Sequence, residues 1–349
     1  MTAIVLFASI HYKGTPGMTP NRDDETFWSI DWPHGALTVR AIGGMLAPLQ
    51  FTLPDGQRIS PLYTAPWAEE QGTQALSGLM RGLRGEWPCA PFGPAQTPDG
   101  LPAGWASRDG GSPWDHGHSA NHAWTLVDRS DGAITLRIEL PESDPLAWME
   151  RVIRPNPDAP ALDIDLTMHP RRDTVLPFAL HPTFAVPSSG MQLLPGEYAA
   201  VHTYPMQPEP GVSRLTPDRT AASLEALPCA DGRTDFSKLP LDFETEEILQ
   251  LQDCRSAFVL RYPSGIEVVL DWDRAQLPDA VLWVSQRGRR QAPWNGRNQA
   301  LGIEPCNSCF DLSRVAQPPG RHPLSHRRGL PLTAGRTFST RYRISARLA

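Results

Sequence analysis

The sequence predicts an all-β protein built mostly from antiparallel sheet. Its 37 prolines and 28 glycines in 349 residues leave few long helical patterns and imply many strands joined by irregular loops. Several runs alternate apolar and polar residues, most clearly Leu162-Asp163-Ile164-Asp165-Leu166-Thr167-Met168, as a sheet with one wet face requires. Turn signals separate such runs, among them Ser130-Asp131-Gly132 and Pro263-Ser264-Gly265. The length suffices for a large core. No repeat or composition shift divides it, so a single domain is expected over 25–349, behind an irregular arm over 1–24.

In chain order, strands are expected at 36–40 and 48–53, separated by Gly43-Gly44 and followed by the Asp55-Gly56 turn. A short helical stretch is expected over 73–83. Residues 84–114 have no period but contain Trp87, Trp105 and Trp114. A long loop rich in aromatics is ordered and functional more often than it is a disordered tail. Strands follow at 123–127, 133–140, 148–154 and 162–168, and an apolar run over 175–186 carries His181. Residues 206–240 are polar and Pro-rich and read as an excursion. A hairpin over 256–271, strands at 281–284 and 300–304, and a last strand over 337–344 complete the set. In that last strand Phe338, Thr340, Tyr342 and Ile344 share one face, and Ser339, Arg341 and Arg343 the other.

Composition excludes several classes. A formal net charge of −6 with scattered Lys and Arg argues against a nucleic-acid partner. No apolar run is long enough to span a membrane. The stretch Ala3 to Ala8 lacks the basic start and cleavage site of a signal peptide. Five cysteines, an odd number, fit a reducing cytoplasm better than a disulfide framework. A cytoplasmic monomer or homodimer is the expectation.

Four constellations could carry chemistry. Leu301-Gly302-Ile303-Glu304-Pro305 sets one carboxylate at the end of an apolar run, with a proline expected to end the ladder. Leu180-His181-Pro182-Thr183-Phe184 places an imidazole within an apolar strand; it reads as a core histidine or as a general acid or base tuned by partial burial. Asp115-His116-Gly117-His118 runs on to His122. If that segment is extended, His116 and His118 share a face, and the three histidines have the spacing of a metal cage or of a loop with one functional member. Arg81-Gly82-Leu83-Arg84 could donate paired hydrogen bonds to a ligand or form a solvated basic surface. The lone Cys306-Asn307-Ser308-Cys309 lacks a second pair and reads as structural. No Gly-rich phosphate loop, dinucleotide fingerprint or nucleophile elbow is present.

Taken in order, Pro91-Phe92-Gly93, His116-Gly117 with Trp124, His181-Pro182-Thr183-Phe184, Gly196-Glu197-Tyr198, Asp271 with Trp283, and Gly302-Ile303-Glu304-Pro305 resemble the aldose 1-epimerase (galactose mutarotase-like) family. The likeness spans roughly residues 35–347 and is nearest to the hexose-6-phosphate-mutarotase-like branch. It implies a β-supersandwich fold with a sugar bound in an open cleft on one sheet. It also implies interconversion of α and β anomers without cofactor or metal. By the same resemblance Glu304 would be the general base on the anomeric hydroxyl, His181 the general acid at the ring oxygen, and His116 a sugar ligand near that oxygen. Arg84, Asp271, Trp114 and Trp283 complete the expected substrate-binding set. The chemistry requires an acid and a base in opposite protonation states at one pH, which a carboxylate and a protonated imidazole would provide.

The chain departs from the branch at His116-Gly117-His118-Ser119-Ala120, where the branch carries an aromatic and an arginine after the glycine. That departure puts a 6-phosphate substrate in question. Two other readings stay open: a non-catalytic carbohydrate-binding protein on the same fold, and a cupin-like metalloenzyme using His116, His118 and His122.

Overall fold

The computed structural model describes residues 26–130 and 132–349, so the arm expected over 1–24 lies outside the described residues. The all-β expectation holds. Among the described residues helix is confined to the single turns Thr73–Ala75, His118–Asn121 and Leu224–Ala226 and to Gly78–Gly82. Among the described residues no helix is long and apolar enough to cross a membrane.

A nine-stranded antiparallel sheet is ordered 238–239, 191–194, 258–261, 266–272, 338–348, 161–170, 146–155, 133–139, 125–130. The alternation in Ala161–Pro170 predicts its two faces. Leu162, Ile164, Leu166 and Met168 enter the core, while Asp163 and Asp165 face outward. Tyr342 and Ile344 of Phe338–Leu348 also enter the core, as the pattern required. On the outer face Asp163 pairs in register with Arg343, at 2.6 Å.

A second sheet runs 220–221, 200–203, 245–252, 279–286, 299–306, 179–180, 88–89, and Thr183–Ala185 also pairs with its Gln299–Cys306 strand. Leu249, Leu251, Leu282, Val284, Leu301 and Ile303 join the same core as the first sheet. The alternate residues Val281, Trp283, Ala300 and Cys306 belong to a different apolar cluster on the other face. A four-stranded sheet, Phe27–Trp32 to Arg58–Ile59, adds Leu37, Val39, Leu49 and Phe51 to the main core.

Charge also enters the core. Arg151, wholly buried, donates to the Gly44 carbonyl at 2.7 Å and to the Tyr342 hydroxyl at 3.1 Å, and pairs with Glu86, which also accepts from Tyr342.

Three sequence expectations need correction. The 175–186 run is three short strands, because Pro177 and Pro182 lack the N–H a continuous ladder needs. Pro305 does not end its strand, which runs on to Cys306 with Pro305 opposite Ala280. Ile303 and Asn307 donate to Pro182 and Phe178 on the other side. By the same alternation Pro305, which has no N–H, stands opposite Leu180, where the neighbouring strand breaks off. Thr245–Gln252, which carries Glu246 and Glu247 near its start, is an interior strand that the sequence reading did not assign.

Candidate active site

The break at Pro182 sits where two candidate residues meet. Ala179 pairs with Cys306 and Thr183 with Gly302, an unbroken register that puts His181 directly opposite Glu304. Beyond Glu304 the partner is Val281. Beyond His181 it is Trp87, whose carbonyl accepts from the His181 N–H at 2.9 Å. Cross-strand partners share a face, so Trp87, His181, Glu304 and Val281 form one row along the floor of a cleft of about 190 Å³.

Within the row, His181 Nε2 lies 3.2 Å from Glu304 Oε1, and Nδ1 hydrogen-bonds with Thr183 Oγ1 at 3.1 Å. The Trp87 ring stacks on the imidazole at 4.1 Å and 17°. His181 is 5% exposed and Glu304 3%. Burial, reinforced by His116, pushes the His181 pKa well down, while burial and the nearby Asp311 push Glu304 well up. Both groups are driven toward their neutral forms, the reverse of the carboxylate and protonated imidazole expected from sequence.

Gly302 stands two residues before Glu304 and therefore on the same face. A Cβ there would lie 2.5 Å from Glu304 Oε1 and 3.1 Å from the Trp283 Cβ. The glycine makes room for the carboxyl.

His116 comes from the loop above the row. Its N–H donates to the Gly93 carbonyl at 2.8 Å, and its ring meets His181 edge-on at 5.2 Å beside Phe92. Burial lowers its pKa to about 4. The segment is not extended. His116 has φ 56° and Gly117 φ 84°, and a helical turn starts at His118. His118 stacks instead on His122 at 3.7 Å, four residues on as a helix dictates. The shared face expected for His116 and His118 is therefore absent. Among the described residues no group of three or more His, Cys, Asp or Glu is placed to hold a metal ion, which removes the basis of the cupin-like reading.

Leu79, Met80 and Leu83, in and after the short helix Gly78–Gly82, form one apolar wall. Trp283 and Trp294 form another, packed edge to face at 6.0 Å, with the Arg289 guanidinium 4.8 Å from the Trp294 ring centre. Asp115 and Asp311 also reach the cleft. Asp311 accepts from the Tyr204 hydroxyl at 2.8 Å, and burial raises its pKa to about 6.

One side chain ties together several points of the long 84–114 loop. Arg314 donates to the carbonyls of Gly93 (3.2 Å), Gly110 (2.9 Å), Trp114 (2.7 Å) and Ser112. Gly93, at φ 111°, allows its backbone to press on Asp311, whose carbonyl would lie 1.8 Å from a Cβ at that position.

Of the residues expected from sequence, Glu304, His181, His116 and Trp283 converge in the cleft. Three do not line it. Arg84 turns to Glu69 at 2.8 Å and to the Gly82 carbonyl at 2.8 Å. Asp271 lies on the nine-stranded sheet, paired in register with Arg343 and bonded to Arg274 at 2.7 Å, on a strand whose core residues point the other way. Trp114 packs edge-on against His122 at 4.9 Å. Trp105 lines a separate cavity with His202 and His322. Sequence reasoning quoted Asp115 without giving it a role and missed Asp311, Arg289 and Glu246. The one signal available was the pair of acids opening an otherwise apolar-polar 245–252 run.

Solved structures with the same architecture include a provisionally named aldose 1-epimerase from Escherichia coli K12, at 13% identity and TM-score 0.62, covering 93% of this chain and 99% of that one. A galactose mutarotase-like protein from Lactobacillus casei aligns at 14% identity and TM-score 0.59 over 92% of this chain and 100% of that one. An aldose epimerase homologue from C. elegans aligns at 14% identity and TM-score 0.58 over 93% and 99%. No protein-family model matches the sequence, and no curated protein matches it at a significant level. At these identities the likeness establishes the fold: the chain adopts the galactose mutarotase-like β-supersandwich.

Proposed function

We propose that the cleft interconverts the α and β anomers of an aldose by acid–base ring opening and closure. The observation that carries this is the buried His181–Glu304 pair, held directly cross-strand at 3.2 Å on the cleft floor. Glu304 takes the proton of the anomeric hydroxyl while His181 protonates the ring oxygen, and the bond from the anomeric carbon to the ring oxygen breaks. The free aldehyde turns about the bond between the first two carbons. The ring oxygen then attacks the other carbonyl face, and both protons return with the roles exchanged. His116 hydrogen-bonds the sugar near the ring oxygen.

The reaction needs one proton on the pair. Burial favours that proton on Glu304 in the empty cleft. Substrate binding must then move it across the 3.2 Å contact to His181. Trp283 and Trp294 supply apolar faces for the sugar ring. A small-molecule sugar is thus the proposed partner, with no cofactor in the steps.

The test is exchange between anomer resonances in NMR, on a panel of free aldoses, with wild type and Glu304→Gln in parallel. Catalysed exchange that Glu304→Gln loses is the expected result. Binding without exchange in the wild type sinks the catalytic proposal and leaves a carbohydrate-binding protein.

A further inference from the structure

Among the described cleft-lining residues Arg289 is the one arginine or lysine, and it is the group on which an anionic sugar would have to dock. Its Nε stands 3.3 Å from Glu246 and 3.9 Å from Glu209. Its guanidinium is also held against aromatic faces, 4.8 Å from the Trp294 centre and 5.9 Å from Trp283. Two carboxylates thus share one cation.

Glu246 is the fixed partner of the two, being wholly buried on Thr245–Gln252. It accepts from Trp283 Nε1 at 2.5 Å and from Ser285 Oγ at 2.9 Å. Ser285 Oγ in turn accepts from Asn298 Nδ2 at 2.7 Å, and Tyr63 donates to Asn298 from behind. Register places Glu246 opposite Ser285 and Ile248 opposite Trp283, so this network lies beside the cleft wall on the same sheet face. The remaining charged lining groups, Asp115, Glu304 and Asp311, are all acids. Burial already raises the pKa of Glu304 and of Asp311, to about 6 for the latter.

We infer that Glu246 is a specificity-determining residue: by occupying Arg289 and fixing Trp283, it makes the cleft select an uncharged sugar over a phosphorylated one. This rests on the proposed sugar site. A phosphate ester carries −1.5 to −2 charges at pH 7. In this cleft it finds the one lining cation already shared by two carboxylates, beside further acids on the same lining, and low dielectric magnifies the repulsion from each acid that is ionised. An uncharged sugar meets the same carboxyls as hydrogen-bond partners. Replacing Glu246 by glutamine keeps an amide oxygen to accept from Trp283 Nε1 and offers an N–H to Ser285 Oγ, while leaving Arg289 with Glu209 as its one remaining carboxylate partner.

The experiment measures binding of free glucose and galactose and of their 6-phosphates by titration calorimetry, at low and moderate salt, beside the NMR exchange assay. In the wild type the free sugars are expected to bind at least about tenfold tighter, about 1.4 kcal/mol. That gap should shrink as salt screens the repulsion. Glu246→Gln should shrink it at least about fivefold, and Arg289→Met should leave the wild-type preference for free sugar in place. A wild type that prefers the 6-phosphate, or a folded Glu246→Gln with an unchanged ratio, overturns the inference. The salt series keeps the wild-type prediction testable if Glu246→Gln does not fold. Selective binding without exchange would defeat the proposed reaction and leave this inference standing. Exchange with the phosphate preferred would do the opposite.

Discussion

Asp163 and Arg343 stand directly opposite on neighbouring strands, and so do His181 and Glu304. The two pairs share cross-strand geometry and differ in surroundings. On the outer face of the nine-stranded sheet the side chains of Asp163 and Arg343 are 25% and 45% exposed. Water screens such a pair, and its contribution to stability is about 0–1 kcal/mol. On the cleft floor the side chains of His181 and Glu304 are 7% and 4% exposed. There desolvation penalises both charges and favours the proton on Glu304. Solvent access, more than the residues paired, separates a surface ladder from chemistry.

The comparison is broken most sharply by Glu304→Gln. Catalysed anomer exchange should fall by about 10²–10⁴-fold, with sugar affinity changed only a few-fold by calorimetry. A comparable loss on both measures would mean that Glu304 binds rather than reacts.

Next in size is the other buried charge cluster. Arg151→Met leaves Glu86 in the core without its cation and should cost about 3–5 kcal/mol in urea unfolding. A cost under about 1 kcal/mol would show that burial is not what distinguishes the two classes of pair.

Gly302→Ala should cut exchange by about 10²-fold, because its Cβ would lie 2.5 Å from the Glu304 carboxyl oxygen. Unchanged exchange would show that the carboxyl need not occupy that position.

Acid should expose the buried imidazoles. The unfolded chain protonates His116 near pH 6.5, whereas the folded chain resists until about 4. Between those values the unfolded state binds more protons, so stability falls as pH drops through that window. His116→Asn should flatten part of this fall in thermal unfolding measured from pH 7 to 4. An identical slope would remove His116 as a source. The smallest effect belongs to the exposed ladder: Arg343→Gln should cost less than about 1 kcal/mol, and a larger cost by urea unfolding would erase the contrast.

These differences also explain what the sequence could disclose. Glu304, His181 and His116 were legible because short motifs put reactive types beside glycine and proline, and strand alternation then fixes the face. Asp271 looked equally suitable, but nothing local tells which sheet a strand joins or which face is wet. Arg84 was suggested by chain position alone, and its partner Glu69 comes from a segment without periodicity. Glu246 left only the weak signal of two acids opening an apolar-polar run, for a different reason. Acids are almost never fully buried unless paired, and its partners Trp283, Ser285 and Arg289 lie 37 to 43 positions away. The break at His181-Pro182 was not read, although Pro177 and Pro182 flank the short stretch 178–181. The continuation of the strand through Pro305 was not, since it is set by pairing with the distant 279–286 strand.

Arg314 has a consequence for modularity. Four carbonyls of the 93–114 stretch converge on this one guanidinium, ten residues beyond Glu304 in the chain. The loop that carries His116 to the cleft is therefore not a detachable part. Grafting it onto another member of the fold without an arginine at the equivalent of 314 would transfer the sequence but not the shape. Shuffling that moved both segments together would keep the roof and floor of the cleft in alignment.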